Sequence, residues 1–192
     1  MGDKWLYYIL LLSVCYSMVD CLPTLIRKTY DIQKFVWTKS LIWTYNTTRR
    51  GHEICKVDKM KYINHTTIIY HHYAFKQYGT KVAYTVVGQF YNDRKDLMVA
   101  RVPGYKIKEE LIYYNHERKC AVIRVTTPFI GGFQTFDLRV WDSHLKLGPA
   151  PECVRKFSKK EKNGHVIYSE RCRHIHESKQ QMPSPLQQKQ QG

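Results

Sequence analysis

The sequence predicts an all-β architecture: eight antiparallel strands closed into an up-and-down barrel, with one short helix before the barrel and a second after it. Three observations predict it. Eight β-rich runs occupy residues 41–47, 53–60, 66–75, 81–90, 96–102, 109–115, 120–127 and 134–141. Turn-forming residues divide them, at Arg50-Gly51, Asn64-His65, Gly79, Asn92-Asp93, Pro103-Gly104, Asn115-His116 and Gly131-Gly132. No helical stretch suited to a parallel crossover separates consecutive runs, so neighbours run antiparallel, and eight such strands can enclose one small ligand. A length of 192 residues suits one domain, and 43% hydrophobic with 14% aromatic residues excludes a disordered chain.

The elements follow in chain order. Residues 5–19 are an uncharged run behind Lys4, shorter than the roughly 20 residues a membrane-spanning helix needs, so residues 1–21 read as a secretory signal peptide. Cleavage fits after Ser17 or after Cys21. The later site leaves four cysteines and no unpaired thiol in an oxidising compartment, and is preferred. It also removes Lys4, Asp3 and Asp20, one cation and two carboxylates, so the net charge rises by one from +15 to +16. Residues 22–176 then form the barrel domain. In it, Thr29-Tyr30-Asp31 precedes Ile32, Phe35 and Val36 at helical spacing. The second helix opens at Pro151 and Glu152, carries a stripe of Cys153, Val154 and Phe157, holds Lys159, Lys160 and Lys162 in its last turn, and stops at Asn163-Gly164. Residues 166–168 lead in extended form to Cys172. Residues 177–192, with six Gln and two Pro, have little to bury and read as a disordered tail.

The remaining cysteines, Cys55, Cys120, Cys153 and Cys172, lie 65, 33 and 19 residues apart, with no CxxC pair, so two disulfides are expected, in any of three pairings. Two sequons, at Asn46 and Asn64, agree with secretion and are expected at exposed positions near strand ends. Among nine histidines, His71 and His72 would face opposite sides of a strand, and His174 and His176 share a face without a third ligand; no metal site is expected. The chain has no HExxH, GxSxG, P-loop or GxGxxG motif, so enzymatic activity and cofactors are not expected either.

Several strings carry a resemblance to a known family. Ile42-Trp43-Thr44-Tyr45-Asn46-Thr47-Thr48 stands ahead of Cys55; Cys120-Ala121-Val122-Ile123 is followed by Phe136-Asp137-Leu138-Arg139 and then by Cys153 and Cys172. In order and spacing, residues 29–172 resemble the tick histamine-binding branch of the lipocalins. The resemblance implies disulfides Cys55 to Cys172 and Cys120 to Cys153. It also implies sequestration of a small host mediator in saliva, as a means of evading host defence.

Departures from that pattern bear on the ligand. Amine-binding members pair a ligand ammonium with buried carboxylates and an aromatic cage. Here one acidic position is Ala121, a second falls at Thr48 or Arg49, the motif glutamate is Asp137 and the motif tryptophan is Arg139. Asp31 could supply a further carboxylate. With the family's facing, Asp137, Arg139 and Trp141 point inward, while Phe136, Leu138 and Val140 point outward or under the helix. Ala121, Ile123 and Val125 are further inward candidates, as are Val82, Tyr84, Val86, Leu97 and Val99. The first-strand aromatics Trp43 and Tyr45 complete the implied ligand-binding set. Arg139 either neutralises Asp137 as an internal pair or receives the carboxylate of a fatty acid or eicosanoid. Core packing accounts for the same aliphatic residues.

The expected partner is thus a small molecule, an amine such as histamine or else a lipid mediator. Basic residues between Arg155 and Arg173 form either a solvated helix face or a patch for an anionic glycan or host protein. A secreted monomer is expected, without membrane anchor or nucleic-acid partner. An amine ligand requires Asp137, a lipid ligand requires Arg139, and surface binding depends on salt and on neither.

Overall fold

In a computed structural model of the chain, residues 4, 5, 8, 29–76, 79–128 and 132–175 are described. The predicted leader, apart from three positions, and the predicted tail lie outside them, as does His176. No helix among the described residues is long and apolar enough to cross a membrane.

Eight strands form the expected barrel: β1 (Ile42–Thr47), β2 (Ile54–Ile63), β3 (Thr67–Phe75), β4 (Lys81–Phe90), β5 (Leu97–Val102), β6 (Tyr105–Asn115), β7 (Cys120–Thr126) and β8 (Gln134–Trp141). Each pairs antiparallel with its successor, and β8 pairs with β1 to close the ring. Two elements are longer than the sequence predicts. β2 continues to Ile63, and β6 begins at Tyr105 because Val102 and Tyr105 pair directly across a tight Pro103-Gly104 turn, with Gly104 at φ +88°.

The helix α1 (Ile32–Val36) plugs one end of the barrel. Its Ile32, Phe35 and Val36 are buried in the interior cluster, and the Trp141 indole donates to the Phe35 carbonyl at 3.0 Å. The helix α2 (Pro151–Ser158) packs outside, against β6, β7 and β8. Pro151 supplies the first-turn φ, and Cys153 and Phe157, one turn apart, face the wall. Val154, expected in that stripe, is 41% exposed. Lys159, Lys160 and Lys162 lie beyond the helix: the Lys160 and Glu161 amides both bond the Phe157 carbonyl, and the chain turns there so that Gly164 abuts Phe157 and Asn46.

Beyond Gly164 the chain adds a ninth strand, β9 (His165–Val166), on the free side of β1. Near the mouth β2 bends away from β1, with Cys55 in the left-handed region at φ 55°. The segment that follows β9, residues 167–172, forms a strap that fills the resulting gap. Ile167 donates its amide to the Tyr45 carbonyl at 3.0 Å and accepts from the Cys55 amide at 2.8 Å. The disulfide Cys55–Cys172 anchors the strap, and Cys120–Cys153 anchors α2, the pairing that the family resemblance implied.

Two buried layers result. The interior holds Ile68, Tyr70, Val86, Met98, Ala100, Leu111, Ala121, Ile123 and Val125 beneath α1. The outer layer holds Trp43, Val57, Val122, Leu138, Val140, Phe157 and Tyr168 between the wall and the C-terminal segments. On β5 the expected phase is reversed. Met98 and Ala100 are the buried interior residues rather than Leu97 and Val99, because Ala100 pairs with Gly88, whose missing side chain makes room for Met98. A Cβ on Gly88 would stand 2.6 Å from Met98 Sδ and 2.7 Å from Ile68 Cγ2. Gly88→Ala is therefore expected to destabilise the barrel by about 1–3 kcal/mol through overpacking, measured by urea unfolding.

Candidate functional site

Alternation along β8 sends Asp137, Arg139 and Trp141 inward and Phe136, Leu138 and Val140 into the outer layer, as the sequence predicts. The internal pair forms: Arg139 Nη2 lies 3.0 Å from Asp137 Oδ2. Two further carboxylates complete it, and the sequence reading missed both. Glu109 of β6, 2% exposed, receives Arg139 in bidentate fashion, Oε1 at 2.6 Å and Oε2 at 3.3 Å. Asp58 of β2 approaches Arg139 Nη1 at 3.8 Å and meets His72 Nδ1 at 2.6 Å. In a ring of eight strands β2 and β6 stand opposite one another, so the guanidinium spans the lumen between facing walls.

The electrostatics follow from burial and pairing. Burial alone would lower the basicity of Arg139, but Glu109, Asp137 and Asp58 hold it well above the ordinary arginine value. Burial would likewise raise Asp137, yet the charges of Arg139 and Lys56 and the 2.7 Å hydrogen bond from Thr47 Oγ1 keep it below the usual carboxylate value. Tyr70 and Tyr84 are pushed upward, chiefly by burial and then by acidic neighbours, and stay neutral phenols. Glu109, Asp137 and Asp58 thus gather around one guanidinium, and Lys56, Arg49 and Glu53 line the same cavity above them. Arg139 Nε has no hydrogen-bond partner among the described residues.

Arg139 divides the lumen. On the mouth side lies a cavity of about 60 Å³ lined by Asp58, Tyr70, Tyr84, Glu109, Asp137 and Arg139. On the α1 side only about 20 Å³ remains, between Val36, Ile42, Ile68 and Met98. The mouth is far larger, about 470 Å³, between Arg49, Arg50, His52, Glu53, Lys56 and Lys76, and falls in the ~300–1,000 Å³ range of small-molecule pockets. Arg49, Glu53 and Lys56 line both the mouth and the 60 Å³ cavity.

The other predicted ligand residues are distributed unevenly. Tyr84 lines the inner cavity, with its ring centroid 4.9 Å from that of His72. Ala121 and Ile123, both fully buried, pair with Arg139 and Asp137 and form the wall beside them. Trp141 is at the plugged end, 6.4 Å from Phe35. Three assignments need correction. Trp43 and Tyr45 face the outer layer, not the lumen: Trp43 donates to Asp142 Oδ1 at 2.8 Å, and both rings pack on Tyr168. The inward places on β1 go to Ile42, Thr44 and, after a bulge, Thr47. Asp31 does not reach the lumen, since its Oδ1 caps α1 by accepting from the amides of Gln33 at 3.1 Å and Lys34 at 3.4 Å.

The histidine pair divides as expected. His72 turns to Asp58, and His71 approaches Thr85 Oγ1 at 3.2 Å on the other face. The two sequons differ. Asn64 sits in the β2–β3 turn, its Oδ1 accepting from the amides of Thr66 and Thr67, beside exposed His65 and Thr66. Asn46 is not exposed: it is half-buried inside β1 between Leu138 and Val166, with its Oδ1 covered. On the outside, Arg155, Lys156, Lys159, Lys160 and Lys162 are solvent-exposed and form no ion pair among the described residues.

Asp137 supplies a pH test. Its lowered value means that its contribution to stability is complete above the 3.8 of an ordinary aspartate and is lost as the pH falls through the lower folded value. Arg139→Met leaves the buried carboxylates uncompensated, at a cost of about 3–5 kcal/mol near neutral pH. Urea unfolding of the parent from neutral pH into the acid range, and of the variant at neutral pH, measures both.

No protein-family model matches the chain, and no curated protein matches it. Solved structures do. The siderocalin Ex-FABP superposes with a TM-score of 0.53 at 11% identity, covering 68% of this chain and 93% of that one. Lobster apocrustacyanin A1 gives 0.51 at 9% identity, with 68% and 76% covered. Japanin from Rhipicephalus appendiculatus, a tick protein solved with bound cholesterol, gives 0.52 at 11% identity, with 70% and 96% covered. All three are lipocalins. At these identities the likeness is one of architecture, and it agrees with the closed eight-stranded barrel described above: the chain has the lipocalin fold.

Proposed function

We propose that this chain is a secreted lipocalin-type carrier that takes up a small protonated amine of the biogenic-amine class and so removes such a mediator from solution. One observation carries the reading: two buried carboxylates, Glu109 and Asp137, and the partly buried Asp58 gather around the Arg139 guanidinium. A ligand ammonium entering the mouth-side cavity meets these carboxylates there, with the ring of Tyr84 beside it. The bulk of the ligand then occupies the larger mouth. Removal of a mediator by stoichiometric binding needs no reaction, and the two disulfides suit an extracellular carrier. The likeness of residues 29–172 to the tick histamine-binding branch supports the amine class.

A fatty acid or sterol is less well served. Japanin was solved with bound cholesterol, but here the two cavities beyond the mouth among the described residues measure about 60 and 20 Å³, and the guanidinium that would receive an acyl carboxylate is already bonded to Glu109 and Asp137. Calorimetric titration of the disulfide-intact protein with histamine, tyramine and palmitate tests the assignment. An amine is expected to bind and palmitate to give no heat. Asp58→Asn, the carboxylate farthest from Arg139, is expected to weaken amine binding by about tenfold or more, the loss of one hydrogen bond to a charged group. Silence with both amines would overturn the proposal.

A further inference from the structure

The mouth is lined mostly by cations. Arg49, Arg50, Lys56 and Lys76, with His52, line its cavity of about 470 Å³, and Glu53 is the one carboxylate among the lining residues. The cations outnumber the acids that line the cavity with them. Lys56, its side chain only 10% exposed, lies 3.5 Å from Glu53 Oε2 and also faces Asp137. Arg49 is hydrogen-bonded to Tyr105 and shares Glu53 and Asp137 with Lys56, and Arg49, Arg50 and Lys76 form no close ion pair among the described residues. Gathering four cations around one cavity is costly unless an anion offsets them.

We infer that the mouth of the barrel is a binding site for an organic anion, the sulfate or phosphate ester of a small aromatic compound. Several donors converging from the β1–β2 loop, from β2 and from Lys76 at the end of β3 suit a group with three terminal oxygens better than a carboxylate, which one guanidinium satisfies. The cavity has room for an attached ring. Because Arg49, Glu53 and Lys56 also line the inner cavity, one ligand can engage both regions: an amphoteric molecule with its anion at the mouth and an ammonium among the inner carboxylates. That second half rests on the amine reading above; the anion site does not.

The test uses three probes by calorimetry: 4-methylphenyl sulfate, tyramine and tyramine O-sulfate. 4-Methylphenyl sulfate is expected to bind alone, and to weaken by about tenfold in Lys56→Gln and in Lys76→Gln, while Lys159→Gln, a cation beyond α2, leaves it unchanged. Lys76 is exposed, so its variant carries the test if loss of Lys56 disturbs folding. No binding of 4-methylphenyl sulfate, or an equal loss in Lys159→Gln, overturns the mouth site whatever tyramine does. Binding of 4-methylphenyl sulfate with tyramine O-sulfate no tighter than it leaves the mouth site standing and removes the ammonium half. Tyramine O-sulfate tighter than either parent compound supports the amphoteric ligand in full.

Discussion

The Arg139 guanidinium is the constraint on which the interior is organised. It reaches from β8 to carboxylates on β6 and on β2, which face each other across the barrel, and so ties the two walls together through the lumen. An apolar filling of the same space would be at least as stable, since removing charges from water costs several kcal/mol per ion before pairing returns it. What the ionic arrangement provides is position: the bidentate grip of Glu109 sets the guanidinium's plane, and Thr47 and His72 orient Asp137 and Asp58. The depth of the ligand space follows from it. Everything on the α1 side is packed, and everything usable lies toward the mouth.

The charges are segregated along the barrel axis. The chain as a whole is strongly basic, at +15, and its cations surround the entrance as well as the α2 side. Cations line the opening, and the carboxylates that grip Arg139 stand below them, so the anionic and cationic groups of a ligand are drawn to different depths.

Most of the barrel was legible in the sequence because turn residues mark the strand ends and because β8 keeps a strict period of two. Asp137 and Arg139 were readable for that reason, and their mutual pairing follows from an i, i+2 spacing on one strand. Glu109 and Asp58 were not, because their partner is remote in sequence, and Glu109 also sits next to a similar residue facing the other way. Glu110, beside Glu109, turns outward to Arg94 and Arg124. Trp43 and Tyr45 were assigned to the wrong face for a related reason: the wall under α2 and the strap is buried on both sides, so an apolar residue there carries no sign of direction. On β5 both phases are apolar, and only the pairing with Gly88 decides between them.

The strap at the mouth has a consequence for biogenesis. The gap between β1 and β2 is filled by Ile167 and secured at Cys172, so the first two strands made cannot complete their seam until residue 172 of the 192 has been synthesised. The nascent barrel therefore waits, with an unpaired strand edge, through nearly the whole of translation. Oxidation of Cys55 with Cys172, 117 residues apart, becomes the step that ends this exposure. The rate at which the barrel closes its seam is then set by how quickly that one bond forms.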